Sequence, residues 1–316
     1  MTTIAVIGLD GDEAKVADQI SRACAETGFF AVRDHGIERT VFDDAYEESM
    51  DFFRRPAAQK NSCPMRTSTA RGENDYSPYG YSALLAENAH AYMGRQGPPD
   101  YVEKFSVGRL VLDDAEDLPF PGDDRGAALR TALKAYFAAC EAVADRIAGL
   151  LTVALELPRD FFAIRTNRSN DSLRSHYYPG LREEFRNDQG MGEHNDGTLI
   201  TLLSEEGPGL QLRDLSGTWI DVDVGRREEF VVNIGDLMAR WSNDEYVSTP
   251  HRVKLAVLPR QSIVFFKLAN DDALIECFPK FTRDRPARYE AIRYEAFSLQ
   301  KMNALFGRED KQEDQS

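Results

Sequence analysis

Three metal-binding side chains stand out in the sequence: His194 and Asp196, separated by Asn195, and His251 further on. In a strand, residues i and i+2 point to the same side. An imidazole nitrogen and a carboxylate oxygen at 194 and 196 then converge on one point while Asn195 turns away. A third ligand must come from elsewhere, and histidines are scarce: His35, His90, His176, His194 and His251 are all there are. His251 opens the extended-looking run His251-Arg252-Val253, with enough chain behind it to cross a barrel and return. Two imidazoles and one carboxylate occupy one face of an octahedral ion and leave three positions open, which suits iron(II) and O₂. Zinc accepts the same ligand types, so the spacing alone leaves both metals open.

A second constellation follows at Arg260-Gln261-Ser262. On a strand Arg260 and Ser262 share a face. The guanidinium fork matches a carboxylate and the hydroxyl adds a donor. The apolar run Ile263–Phe266 then buries the pair, and a buried guanidinium needs an anion. A dicarboxylate held by a metal at one end and by Arg260 at the other meets that need. So does an ion pair with one of the chain's 53 acidic residues.

The elements that must position these residues fall into two parts. The first part reads as mixed and helical. Residues 4–6 form a short strand candidate. Helical spacing runs from Asp12 to Glu26, with Ala14, Val16, Ile20 and Ala23 apolar, and stops before Gly28. Phe29–Arg33 reads as a strand and Thr40–Phe53 as a helix. Residues 61–99 are rich in Gly, Pro, Ser, Asn and Tyr and read as a long irregular segment. Leu129, Leu133, Tyr136, Phe137, Cys140, Val143, Ile147 and Leu150 form one apolar stripe, which predicts a core-backing helix over 125–156. After Pro158 short strand-like runs recur at 173–178, 199–204, 210–213, 219–222, 230–234, 263–268 and 288–296. Turn signals such as Gly207-Pro208-Gly209 separate them. Many short strands at this spacing predict a β-sandwich or barrel that holds the site.

Composition narrows the partners. The chain has 316 residues and a formal net charge of -15, which speaks against nucleic acid. No apolar run is long enough to span a membrane. The N-terminus lacks a basic region and does not read as a signal peptide. Cys24, Cys63, Cys140 and Cys277 form no CxxC, so free thiols in a reducing cytoplasmic setting are expected. The partner expected is a small molecule.

Taken together, three stretches resemble a known family: GEHNDGTLITLLSEEGPGLQL (192–212), VVNIGDLMARWSNDEYVSTPHRV (231–253) and PRQSIVFF (259–266). They are similar to the isopenicillin N synthase-like branch of the 2-oxoglutarate- and Fe(II)-dependent dioxygenases. GFFAVRDHGI (28–37) and PDYVEKFSVG (99–108) agree in the front half. The resemblance implies an α+β fold, a double-stranded β-helix (jelly-roll) core flanked by helices. It divides the chain into a mixed helical region at 1–160, a catalytic core at 161–300 and a tail at 301–316, in one compact unit. It implies His194, Asp196 and His251 as iron ligands. Arg260 and Ser262 become the grip on the distal carboxylate of 2-oxoglutarate, with Tyr178 in support.

The implied enzyme is a dioxygenase of secondary metabolism. It couples decarboxylation of 2-oxoglutarate to succinate and CO₂ with hydroxylation, desaturation or cyclisation of a small metabolite, using O₂. A carboxylate at 196 speaks against halogenation, since halogenating relatives have a small residue there. His176 departs from the Asn common at that position. With Arg71, Tyr76, Tyr79 and Tyr81 on the irregular segment, it is a candidate substrate contact, and residues 297–306 are a candidate cap. Rival readings are an oxidase that uses no 2-oxoglutarate, a zinc hydrolase, and a non-enzymatic binder on the same fold.

Overall fold

The structure, a computed structural model, describes residues 4–65, 79–112, 119–214, 216–222 and 226–306. The first half supplies β1 (Ala5–Gly8), α1 (Glu13–Glu26), β2 (Phe29–Arg33), α2 (Arg39–Phe53), α3 (Ala57–Lys60), β3 (Gly80–Ser82), β4 (Glu103–Gly108), α4 (Arg109–Leu112), α5 (Asp124–Ala154) and α6 (Ala163–Thr166). The second supplies β5 (Ser172–Tyr178), β6 (Gln189–His194), β7 (Ile200–Glu205), β8 (Leu210–Arg213), β9 (Trp219–Asp221), β10 (Phe230–Ile234), α7 (Asp236–Trp241), β11 (His251–Lys254), β12 (Arg260–Lys267), β13 (Leu274–Ile275), β14 (Ile292–Arg293) and α8 (Tyr294–Phe306).

Two facing sheets make the jelly roll. The larger runs β1-β2-β10-β7-β12-β5-β4-β3 and the smaller β6-β11-β8-β9. β1 and β2 pair in parallel, and the pairs from β2 onward are antiparallel. Alternation along the larger sheet separates its two faces. Phe30, Val32, Leu173, Leu202, Phe230, Val232, Ile263 and Phe265 point outward into one apolar core with the helices. α5 backs that core: Asp123 caps its N-terminus by accepting from the Gly126 amide at 2.8 Å, and Phe137 packs edge-on against Phe265 at 5.1 Å. The opposite face looks at the smaller sheet and carries the polar residues of the site.

Four of the eight strands, β1 to β4, lie before residue 161, so the front half is woven into the sheet as well as packed on it. The expected strand at 288–296 is a correction. Only Ile292–Arg293 is strand, and α8 begins at Tyr294. The irregular segment contains β3 and a 3-10 turn at Ala89–Met93. Among the described residues no helix is long and apolar enough to cross a membrane, and the four cysteines are free and buried.

Candidate active site

His194 ends β6 and His251 begins β11, and antiparallel pairing sets them directly opposite each other. Their rings lie 4.3 Å apart between centroids. Asp196 is not on the strand, contrary to the i, i+2 expectation; it lies just beyond β6. Hydrogen bonds bring it back. Its Oδ2 accepts from Thr201 Oγ1 and from Asn233 Nδ2, both at 2.8 Å. Its backbone oxygen accepts from the Asp236 amide at 2.7 Å. The Asn195 amide is held by Ser248.

The three side chains can then share one ion, because their ligand atoms all lie within 4.8 Å of one another. His194 Nε2 is 3.7 Å from Asp196 Oδ1, and His251 Nε2 is 3.8 Å from Oδ2. Each Nδ1 faces a carbonyl, Gly192 O at 2.8 Å and Thr249 O at 3.1 Å. That fixes the tautomer and leaves both Nε2 lone pairs for a metal. Burial, with the nearby His251 ring second, holds the His194 imidazole down to about 3, so it stays neutral and able to coordinate. Burial works against the Asp196 charge, but His251, His194, Asn233 and Thr201 together hold its carboxyl below the usual range.

The turn between α1 and β2 sets the approach to His251. Val247 N donates to Cys24 O at 2.9 Å, and Thr249 Oγ1 to Thr27 O at 2.7 Å. Gly28 makes this approach possible. Its φ is +67°, and a Cβ there would stand 1.9 Å from Val247 O.

Beside the triad lies a narrow chamber of about 50 Å³, with Tyr178, Arg260 and Ser262 among its walls. Arg260 pairs in register with Tyr178, and Ser262 with His176. The guanidinium lies 4.7 Å from the Tyr178 ring centroid. Its Nη1 donates to Glu205 Oε2 at 2.9 Å and to the carbonyls of Gly207 and Pro208. The ion-pair alternative is thus present, yet it uses one nitrogen. Arg260 Nε, Arg260 Nη2 and Ser262 Oγ are buried with no hydrogen-bond partner among the described residues. Buried donors left without an acceptor cost about 1–3 kcal/mol each, and a carboxylate fits all three.

On the other side of His194 and Asp196 a cavity of about 390 Å³ opens. One wall is polar: Ser106, Asn170, Ser172, Arg174 and His176. The apolar lining comes from Met191, Phe266, Leu268, Tyr294 and Phe297. His176 borders both spaces. It is 3% exposed, its Nε2 meets no partner among the described residues, and burial, aided by Lys104 and Arg174, keeps it neutral. Tyr79 lines the cavity and donates to Asn170 Oδ1 at 2.6 Å. Tyr81 is a correction: it points to the helix-covered face, donates to Glu103 and packs on Phe52. Arg71 and Tyr76 lie outside the described residues. Missed from sequence were Thr201, Asn233, Arg174, Ser106, Tyr92 and Lys301.

With this geometry in view, residues 169–268 match the 2OG-Fe(II) oxygenase superfamily, and residues 3–123 match the family described as non-haem dioxygenase in morphine synthesis N-terminal. The 2-oxoglutarate-Fe(II) type oxidoreductase hxnY of Emericella nidulans is 30% identical over 285 residues, covering 86% of this chain and 79% of that protein. This chain belongs to the 2OG-Fe(II) oxygenase superfamily. The 2-oxoglutarate-dependent dioxygenase gloF of Glarea lozoyensis is 28% identical, covering 83% of this chain and 84% of that one. Among solved structures, a full-length Neurospora crassa protein in complex with alpha-KG superposes with a TM-score of 0.81 at 27% identity, covering 95% of each chain. JOX2 in complex with 2OG, Fe and JA gives 0.76 at 27%, covering 94% and 84%. The chain is an enzyme, an Fe(II)- and 2-oxoglutarate-dependent oxygenase. That membership sets aside the zinc hydrolase and the non-enzymatic binder.

Proposed function

We propose that His194, Asp196 and His251 hold the iron, and that Arg260, Ser262 and Tyr178 receive the distal carboxylate of 2-oxoglutarate. The 390 Å³ cavity then receives the substrate, a small metabolite. The observation that carries the assignment is the set of unpartnered donors at Arg260 and Ser262, in the same chamber as the triad. When bound, iron with 2-oxoglutarate and O₂ supplies the oxidising power that is spent on a substrate C–H bond. The protein's share is placement. Thr201 and Asn233 aim Asp196; Gly192 and Thr249 aim the two imidazoles. Phe266 and Met191 screen the triad from water, and the polar wall on β5 orients the substrate.

The cavity's charge favours a neutral or anionic substrate. Arg174 and Lys301, the latter paired with Asp236, line it, and Asp196 is its one lining carboxylate among the described residues. The Neurospora crassa protein has been crystallised with thymine and JOX2 with JA, both small molecules. A role in secondary metabolism is in keeping with the N-terminal match to the family described as non-haem dioxygenase in morphine synthesis, and a reducing compartment such as the cytoplasm fits four free cysteines.

Anaerobic addition of 2-oxoglutarate to the Fe(II) protein tests the reading. Visible metal-to-ligand absorption, and succinate once O₂ is admitted, are expected. Neither signal, in protein shown to hold iron, refutes it. A library screen for products heavier by one oxygen or lighter by two hydrogens then finds the substrate.

A further inference from the structure

Glu205 stands where the co-substrate's distal carboxylate must arrive. Across the sheet, Glu205 on β7 is directly opposite Ser262 on β12, which is opposite His176 on β5. Directly opposite residues share a face, so all three look into the interior. Arg260 is two residues from Ser262 on that same face. Its Nη1 meets Glu205 Oε2 at 2.9 Å, and both side chains are 3% exposed. The pair is already charge-balanced: one guanidinium, one carboxylate.

A second carboxylate on Arg260 Nε, Nη2 and Ser262 Oγ changes that balance. Two buried anions would then face one cation. Two carboxylates that share a site cannot both stay ionised cheaply, so one gains proton affinity. Around the pair, on the described neighbouring elements, lie groups that are neutral, negative or already engaged. On β5, Tyr178 is a phenol that burial holds above its usual range despite Arg260, and His176 is held neutral. On β4, Lys104 is engaged by Glu87 at 2.9 Å and Asp100 at 4.0 Å. On α2, Tyr46 shares a hydrogen bond with Ser204 at 2.8 Å. Next along the chain, Glu206 adds a negative charge and pairs with Arg227 at 2.6 Å.

We propose that 2-oxoglutarate binds together with one proton, taken from solvent by Glu205. Protonation turns Glu205 from a competitor for Arg260 into a neutral neighbour able to donate to the incoming carboxylate. No other bond forms or breaks. The inference rests on the reading that Arg260 and Ser262 grip that carboxylate. It makes Glu205 a determinant of co-substrate affinity: the site favours a distal group that arrives with a proton, or one that carries no charge.

Calorimetry on the full chain loaded with Mn(II) tests this, run at one pH in two buffers of different ionisation heat. Wild type should take up close to one proton per 2-oxoglutarate. Its affinity should rise by up to about tenfold for each pH unit lowered. The distal amide, 2-oxoglutaramate, should bind with no uptake. Glu205→Gln should bind 2-oxoglutarate without uptake and with a flat pH profile, while His176→Asn should keep the uptake. Zero uptake in wild type overturns the proposal. So does uptake that persists in Glu205→Gln, or that vanishes in His176→Asn, or that is equal for the acid and the amide. The last comparison needs no variant to fold. The double variant Arg260→Met, Glu205→Gln strands no charge. If it binds 2-oxoglutarate as wild type does, the grip itself is misassigned.

Discussion

Thr201→Val isolates the alignment of Asp196 from the fold that surrounds it. Valine nearly matches threonine in shape, so the change deletes one hydroxyl from a fully buried site (Thr201 is 2% exposed). That hydroxyl donates to Asp196 Oδ2 at 2.8 Å and also meets Thr198 Oγ1 at 2.9 Å. A hydrogen bond to a charged group contributes about 1.5–3 kcal/mol. At about 1.4 kcal/mol per tenfold, a loss felt only when the metal is bound weakens it by about tenfold to a hundredfold. That agrees with the usual effect of removing an outer partner of a metal ligand. Asn233 still donates to the same oxygen, so binding should weaken rather than vanish. The assay is titration of the metal-free protein with Fe(II) under anaerobic conditions, alongside a urea melt of the metal-free form. If affinity is unchanged while stability falls, the hydroxyl supports the fold in both states and does not aim the ligand.

Further outcomes follow from neighbouring features. Arg260→Lys keeps a cation for Glu205 but loses the Nε and Nη2 donors. It should raise the Kd of 2-oxoglutarate about tenfold or more while leaving metal affinity intact; an unchanged Kd counts against the grip. Gly28→Ala should cost at least about 1–2 kcal/mol from left-handed backbone alone. The overlap with Val247 O should add to this and, by shifting the loop before His251, weaken metal binding. Equal melting midpoints would refute it. Acid should destabilise the metal-free protein. His194 and His176 stay neutral when folded, through burial first, but each takes a proton near pH 6.5 when unfolded. More protons bind the unfolded chain, so stability falls as pH drops below about 6.5, by up to about 1.4 kcal/mol per pH unit for each. Denaturant melts at pH 7.5 and 5.5 measure it, and equal stabilities would rule it out.

The residues that the sequence made legible are those whose role follows from identity. His194, Asp196, His251, Arg260 and Ser262 stand out by residue type alone, and the structure brings all five to the walls of one chamber. What was not legible depends on facing. Tyr79 and Tyr81 look equivalent, two apart in one segment. Gly80, at φ +116°, breaks the alternation between them, so one enters the cavity and the other faces the helices. Glu205 has no local mark at all; only the β7–β12 register sets it against Arg260. α8 was legible but misread. Tyr294, Phe297, Ser298 and Lys301, which line the cavity, recur at helical spacing. Reading 288–296 as one strand-like run hid the start of the helix at Tyr294.

Register also explains why one strand pair can serve both spaces. Along β5 and β12 the inward pairs are Tyr178 with Arg260, His176 with Ser262, Arg174 with Val264 and Ser172 with Phe266. Each step is two residues, about 7 Å along the strand. Arg260 and Arg174 are therefore two steps, about 14 Å, apart along the strands, with His176 and Ser262 between them. A slip of one residue would turn Arg260, Ser262 and His176 onto the helix-packed face and bring Leu173, Ile263 and Phe265 inward. Those three are each fully buried against the helices, Phe265 on Phe137 of α5. The apolar outer face therefore fixes the register that the polar inner face needs. The long helix that looks like plain core backing in the sequence is what keeps Arg260, Ser262 and the polar cavity wall at their spacing.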